Sequence, residues 1–171
     1  MRKTKRLPVK ATPVAIALEE PFSDASIADV FFDDLYNILG GKALNSKIKN
    51  EFDLIQQAES GIKMKSVKAV SEFLDISMDK MSQLLNVSIR TFQRKKATDV
   101  MSAAISQKTI DIAEVAAKGK EIFGNKEKFN LWLNSPIPAL HNRKPFDLLK
   151  TSTGIKLVMT TLMRIEYGIY I

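Results

Sequence analysis

The sequence predicts an all-α fold, on three observations. Apolar residues recur at steps of three and four along most of the chain. Capping residues and glycine stops bracket those stretches, and no alternating run long enough for a useful strand occurs. The elements follow in order. Residues 1–22 hold five basic residues in the first ten and prolines at 8, 13 and 21, which reads as a basic, flexible arm. From Asp24 a helix carries Ile27, Val30, Phe31, Leu35, Ile38 and Leu39 on its inner face and stops at Gly40-Gly41. Its other face is acidic, with Asp29, Asp33 and Asp34, and does not suit DNA. Phe31 and Phe32 are adjacent, so they point roughly 100° apart and serve two surfaces.

A second helix between Asn50 and Gly61 uses Phe52, Leu54, Ile55 and Ala58, and Gly61 ends it. Lys63, Lys65 and Lys68 then precede Val70, Phe73 and Leu74 in a short amphipathic helix. The next segment, about residues 77–96, has the grammar of a helix-turn-helix. Ser77 caps its first helix, Ser82 supplies the small residue where the helices cross, and Asn86 tolerates the left-handed turn. Val87 and Phe92 plug the core. Ser88 caps the second helix, whose exposed positions are Arg90, Thr91, Gln93, Arg94, Lys95 and Lys96. Lying in a major groove, such a helix offers Gln93 to adenine, Arg90 or Arg94 to guanine and lysines to phosphates. Lys95 departs from the pattern, because an aliphatic residue usually points inward there. Either the second helix is short or Lys95 snorkels past the core.

After Asp99 a long helix is marked by Ile105, Ile112, Val115, Ala116, Ile122 and Phe123 and ends at Gly124. Asn125 caps another, with Phe129, Trp132 and Leu133 inside, stopped before Pro136. The loop 135–140 is too proline-rich for helix. A short helix starts at Pro145 and runs to Leu149. Ser152 or Thr153 leads into a last helix from about Gly154, with Ile155, Val158, Leu162 and Ile165 inward and Gly168 as its end.

With 171 residues, 45% hydrophobic and 26% charged, the chain is globular, and the absence of cysteine excludes disulfides and cysteine-based metal sites. A net charge of +7 makes nucleic acid the first partner to consider. Val14 to Leu18 is too short for a signal-peptide core and no run of eighteen apolar residues exists, so a cytoplasmic location is expected. A single histidine, His141, no cysteine, no glycine-rich phosphate loop and diverging Asp33 and Asp34 argue against an enzyme, a metal or a cofactor.

The run Phe123-Gly124-Asn125, Trp132-Leu133, Pro136, Pro138-Ala139-Leu140, Arg143, Pro145-Phe146-Asp147-Leu148-Leu149, Thr151, Gly154, Val158, Leu162 and Ile165-Glu166-Tyr167-Gly168 resembles the toxin-binding domain of Xre/MbcA/ParS-type antitoxins. With the helix-turn-helix, the resemblance spans about residues 60–171. His141-Asn142 stands where that family usually has glycines, and nothing before residue 50 matches. The resemblance implies a helical bundle in which residues 23–104 form an N-terminal helical region with the helix-turn-helix. Residues 105–171 then form a C-terminal helical toxin-binding domain.

It further implies an antitoxin of a type II toxin–antitoxin module. Its cognate partner would be an NAD-degrading RES-domain toxin, or a related ADP-ribosylating toxin, whose active site it occludes. Its helix-turn-helix would repress the shared operon on operator double-stranded DNA. The expected DNA-binding residues are Ser88, Arg90, Thr91, Gln93, Arg94, Lys95 and Lys96, and the expected toxin-binding residues are Arg143, Glu166, Tyr167, Gly168, Ile169, Tyr170 and Ile171. A homodimer follows from two-fold operators, and a toxin–antitoxin hetero-oligomer from neutralisation. Trp132 reads as core and Asp147 as a carboxylate favoured by a helix start. Two other readings stay open: a free-standing helix-turn-helix transcriptional regulator whose C-terminal domain dimerises, and an interaction protein with a degenerate helix-turn-helix.

Overall fold

The computed structural model describes residues 25–169. The arm expected at 1–22 and the toxin-contacting assignments to Tyr170 and Ile171 therefore lie outside the described residues. Within them the chain is all-α. It forms α1 (Ala25–Ile38), α2 (Glu51–Ser60), α3 (Met64–Phe73), α4 (Met78–Leu84), α5 (Ile89–Gln93), α6 (Ala103–Phe123), α7 (Lys126–Leu133), α8 (Pro145–Leu148) and α9 (Ser152–Glu166). Among the described residues no helix is long and apolar enough to cross a membrane.

The axle of the bundle is α6. Ile112, Ala113, Val115 and Ala116 are all fully buried, while Gln107, Asp111, Glu114, Lys118 and Glu121 recur at steps of three and four as a narrow polar stripe, so most of the helix surface faces the core. The helix packs against α1, α2, α3, α7 and α9, so one continuous core joins both parts of the chain. The polar groups buried along it are paired: the Ser106 hydroxyl accepts from the Ile62 amide at 3.0 Å, and Thr109 donates to the Ile105 carbonyl at 2.8 Å. Gly119 is fixed by close packing. A Cβ there would sit 2.1 Å from the ring of Phe129, which is fully buried.

The start and stop signals appear where the sequence placed them. Asn50, Ser77, Ser88 and Asn125 each accept a hydrogen bond from the backbone amide three residues on. Gly61 and Gly124 take positive φ at their helix ends. Four readings need correction. On α2 the buried face is Leu54, Gln57 and Ala58, while Phe52 is 80% exposed and Ile55 51% exposed. Gln57 is drawn inward because its amide nitrogen donates to the Ser46 hydroxyl at 2.9 Å, which turns Phe52 and Ile55 away from α6. Val30 of α1 is likewise exposed; Phe32 is buried, and its neighbour Phe31 packs on the core edge-on to it at 5.4 Å. The last helix begins at Ser152, capped by Thr151, whose hydroxyl accepts from the Gly154 amide at 3.0 Å. Inside the proline-rich loop, Pro138–Leu140 still makes one 3-10 turn, with proline at its first position, where no donor is needed.

Candidate functional site

Two surfaces carry the candidate residues. The first is built on the helix pair α4 and α5. Ser82 is buried at the crossing and its hydroxyl donates to the Asp79 carbonyl at 2.7 Å, so a small polar residue sits there without an unpaired group. Asn86 takes φ 56°, and Val87 returns its amide to the Ser82 carbonyl at 2.9 Å, which closes the turn. Phe92 inserts into the core and orients α5. Arg90, Thr91, Gln93 and Arg94 are left exposed on one short element. Ser88 is occupied locally, capping Thr91 through its amide at 3.1 Å and meeting the Thr91 hydroxyl at 2.8 Å.

The second helix is shorter than the sequence pattern suggested. It has five residues and ends at Gln93, with Arg94 as its cap, so Lys95 and Lys96 do not lie on it. Lys95 is half-buried in the following turn, and the Lys96 amide donates to the Asp99 carboxylate at 3.0 Å. The inward lysine is thereby explained: the helix has ended before it.

The second surface lies at the far end of α9. The segment from Ile137 to Arg143 folds into a tight turn in which the Ile137 amide donates to the Arg143 carbonyl at 3.2 Å. His141 and Asn142 at its tip take φ 54° and 55°, the conformations that glycine adopts without strain. This turn faces the last turns of α9 across an open groove of about 330 Å³, lined by Ile137, Pro138, Ala139, Ile165, Gly168 and Ile169. Tyr167 is 75% exposed and Ile169 is exposed beside it. Five of the seven residues expected here are therefore described and share one end of the molecule: Arg143, Glu166, Tyr167, Gly168 and Ile169 are all exposed.

Ile137, Pro138 and Ala139 were not among the expected contact residues. The proline pair had marked a loop but carried no sign that it would wall a groove. Ile165, expected to point inward, is on the groove rim and partly exposed. Glu166 also has an internal partner. Lys118 holds it at 2.7 Å and holds Glu121 at 3.2 Å, tying the end of α9 to α6. Burial pushes the Lys118 ammonium down, but the two carboxylates outweigh it and hold its pKa above the ordinary value.

Comparison with known proteins joins the two surfaces. Residues 53–114 match the family described as the antitoxin Xre-like helix-turn-helix domain, and residues 118–168 match the antitoxin Xre/MbcA/ParS C-terminal toxin-binding domain. The chain belongs to the Xre/MbcA/ParS antitoxin family. Its relatives include the Prs ADP-ribosylating antitoxin of Sphingobium sp. (strain YBL2), 25% identical over 128 residues, which are 69% of this chain and 80% of that protein. Another is Antitoxin Xre of Yersinia enterocolitica serotype O:8 / biotype 1B (strain NCTC 13174 / 8081), 23% identical over 119 residues, 68% of this chain and 80% of that protein. A crystal structure of the M. tuberculosis MbcT-MbcA toxin-antitoxin complex contains a chain 20% identical to this one, with a TM-score of 0.48 over 63% of this chain and 96% of that chain.

This antitoxin thus carries its helix-turn-helix between α2 and α6 and its toxin-binding domain from the end of α6 to Gly168. The grooved end of α9 lies within the second match, whereas Ile169 falls just beyond it.

Proposed function

We propose that this antitoxin neutralises an NAD-degrading RES-domain toxin by laying the grooved end of its C-terminal domain over the toxin's active site, and represses its own operon as a homodimer. The observation that carries the reading is an exposed apolar rim formed by Pro138, Ile165, Tyr167 and Ile169, beside the half-buried Ile137, at the end of the domain matched as toxin-binding. Aromatic and aliphatic groups on such a rim gain most by entering a partner's cleft. Arg143 supplies a cation at its edge, and deleting Gly168–Ile171 removes the tail that would enter deepest. The exposed Arg90, Gln93 and Arg94 support operator reading in a major groove. Two-fold operators call for two copies of the chain.

The test is co-expression with the product of the adjacent open reading frame, scored by growth and cellular NAD. The neighbour alone should arrest growth and deplete NAD, and the pair should do neither. The antitoxin lacking Gly168–Ile171 should fold but protect poorly. The name of the Sphingobium relative favours a second reading, in which the toxin ADP-ribosylates a protein. Labelled NAD distinguishes the two, because radioactivity then appears on protein. A harmless neighbour would leave a free-standing regulator as the better account.

A further inference from the structure

We propose that the DNA-contacting surface extends past the helix pair onto a backbone clip between the segment after α5 and the first turn of α3, where Lys63 and Lys65 join Lys95 and Lys96 in contacting the phosphodiester backbone. The proposal rests on the reading of α4 and α5 as a DNA-binding pair. It adds residues from an element outside that pair.

The clip is a set of non-local hydrogen bonds. The Met64 amide donates to the Asp99 carbonyl at 2.8 Å, the Lys65 amide to the Ala97 carbonyl at 2.9 Å, and the Met101 amide to the Ile62 carbonyl at 2.8 Å. Lys63 and Val100 form the bridge between the two segments. Residues 32 to 39 positions apart in sequence are thereby fastened side by side. Lys65 and Lys96 are exposed, and Lys63 and Lys95 are half-buried next to them. With Arg94, five cationic residues thus lie on or directly beside the two fastened segments.

The only carboxylate on the clip is Asp99, and one of its oxygens already accepts the Lys96 amide. None of the five cations forms an ion pair among the described residues, unlike Lys47, Lys118 and Lys120, each of which holds an acidic partner. Like charges gathered without counter-charges are relieved by a polyanion. Because the first amides of α3 are taken up by the clip, the contact must come from ammonium groups, which favour phosphate without reading sequence.

The shortness of α5 adds a reason. Five residues span only about 7.5 Å, enough to present two or three side chains to base edges. An element that short needs flanking phosphate contacts to hold its register.

The experiment measures binding of the full chain to the duplex immediately upstream of its own coding region, and to an unrelated duplex of equal length, over a salt series. In Lys63→Gln/Lys65→Gln the slope of log affinity against log salt should become shallower by about 2, roughly 1 per lysine, with equal loss on both duplexes. Lys65→Arg should keep the slope. Arg90→Ala should weaken upstream binding more than unrelated binding. Thermal melting of each variant identifies any that unfolds; for those, Lys65→Gln alone should lower the slope by about 1. An unchanged slope in folded lysine variants, with Arg90→Ala still impaired, would overturn the clip and spare the helix pair. Absence of salt-dependent binding by the unaltered chain would overturn both.

Discussion

The helix pair α4–α5 and the end of α9 expose opposite chemistries on one scaffold. The first presents Arg90, Gln93 and Arg94 from a five-residue helix held by its Ser88 cap and by the single buried side chain of Phe92. The second presents isoleucine and proline around a groove, with Tyr167 exposed next to it, and its domain is backed by the fully buried Phe129 and Leu133. Charged groups on a short exposed element suit a polyanion, which supplies its own attraction at long range. An apolar rim gains nothing until it is desolvated in a matched cleft, and so needs a rigid base. The difference teaches that one scaffold can carry a polar surface on a short element and an apolar surface on a deeply packed one.

The sharpest way to break the contrast is to remove the base of the second surface. Phe129 is fully buried against Gly119 and stacked on Trp132 at 6.2 Å. Phe129→Ala should cost about 4 kcal/mol in urea unfolding. A loss below about 1.5 kcal/mol would mean that this end collapses around the gap and is no more rigid than the helix pair.

A nearly equal effect, of opposite sign, is expected from Glu114 on α6. Burial, with Asp111 and Glu51 adding to it, pushes its carboxyl up to about 7. Between about 4.5 and 7 the folded chain keeps a proton that the unfolded chain releases, so stability falls as pH rises through that window. Glu114→Gln should therefore stabilise by up to about 3 kcal/mol at pH 8 and by almost nothing at pH 4, where both states hold the proton. Equal stabilisation at both pH values would assign the effect to packing instead.

The helix pair should respond more weakly to loss of its cap, because a cap is a single hydrogen bond and Met81, Leu84 and Phe92 stay anchored in the core. Ser88→Ala removes the cap on α5 and should cost about 1 kcal/mol, a fall of roughly 2–4 °C in melting temperature. It should also weaken DNA binding more than its small stability cost alone would. If DNA binding were untouched, α5 would be held by Phe92 and not by its cap.

These contrasts also mark what could be read from sequence. Caps and stops are local chemistry, which is why Asn50, Ser77, Ser88, Asn125 and Gly124 each fell at a helix end as expected. Asn86 and the small Ser82 were legible for the same reason. The outward turn of Phe52 and Ile55 was not, because two candidate faces on α2 fit a helical period and the choice was made by α6 and by the Gln57–Ser46 contact. The length of α5 was half legible, since Lys95 flagged an exception without saying which way it resolved. The Lys118–Glu166 pair, the groove against Ile137 and the clip at Lys63–Val100 join residues 28 to 48 positions apart, and nothing local announces them.

The smallest expected effect compares the turns that serve the two surfaces. Asn86 in the helix pair and His141 in the groove turn have nearly the same backbone conformation, φ 56° and 54°. Asparagine adopts this conformation more readily than most residues, whereas histidine pays more of the left-handed penalty of roughly 1–2 kcal/mol. Glycine removes that penalty but frees the unfolded chain by about 0.5–1 kcal/mol. Asn86→Gly should therefore change stability by no more than a few tenths of a kcal/mol. His141→Gly should gain about 0.5 kcal/mol, read from paired thermal melts, with neutralisation intact because the substitution leaves the groove-lining residues in place. A loss on His141→Gly would show that the exposed imidazole steadies the turn by a contact of its own, and the groove would then be supported at its tip as locally as α5 is.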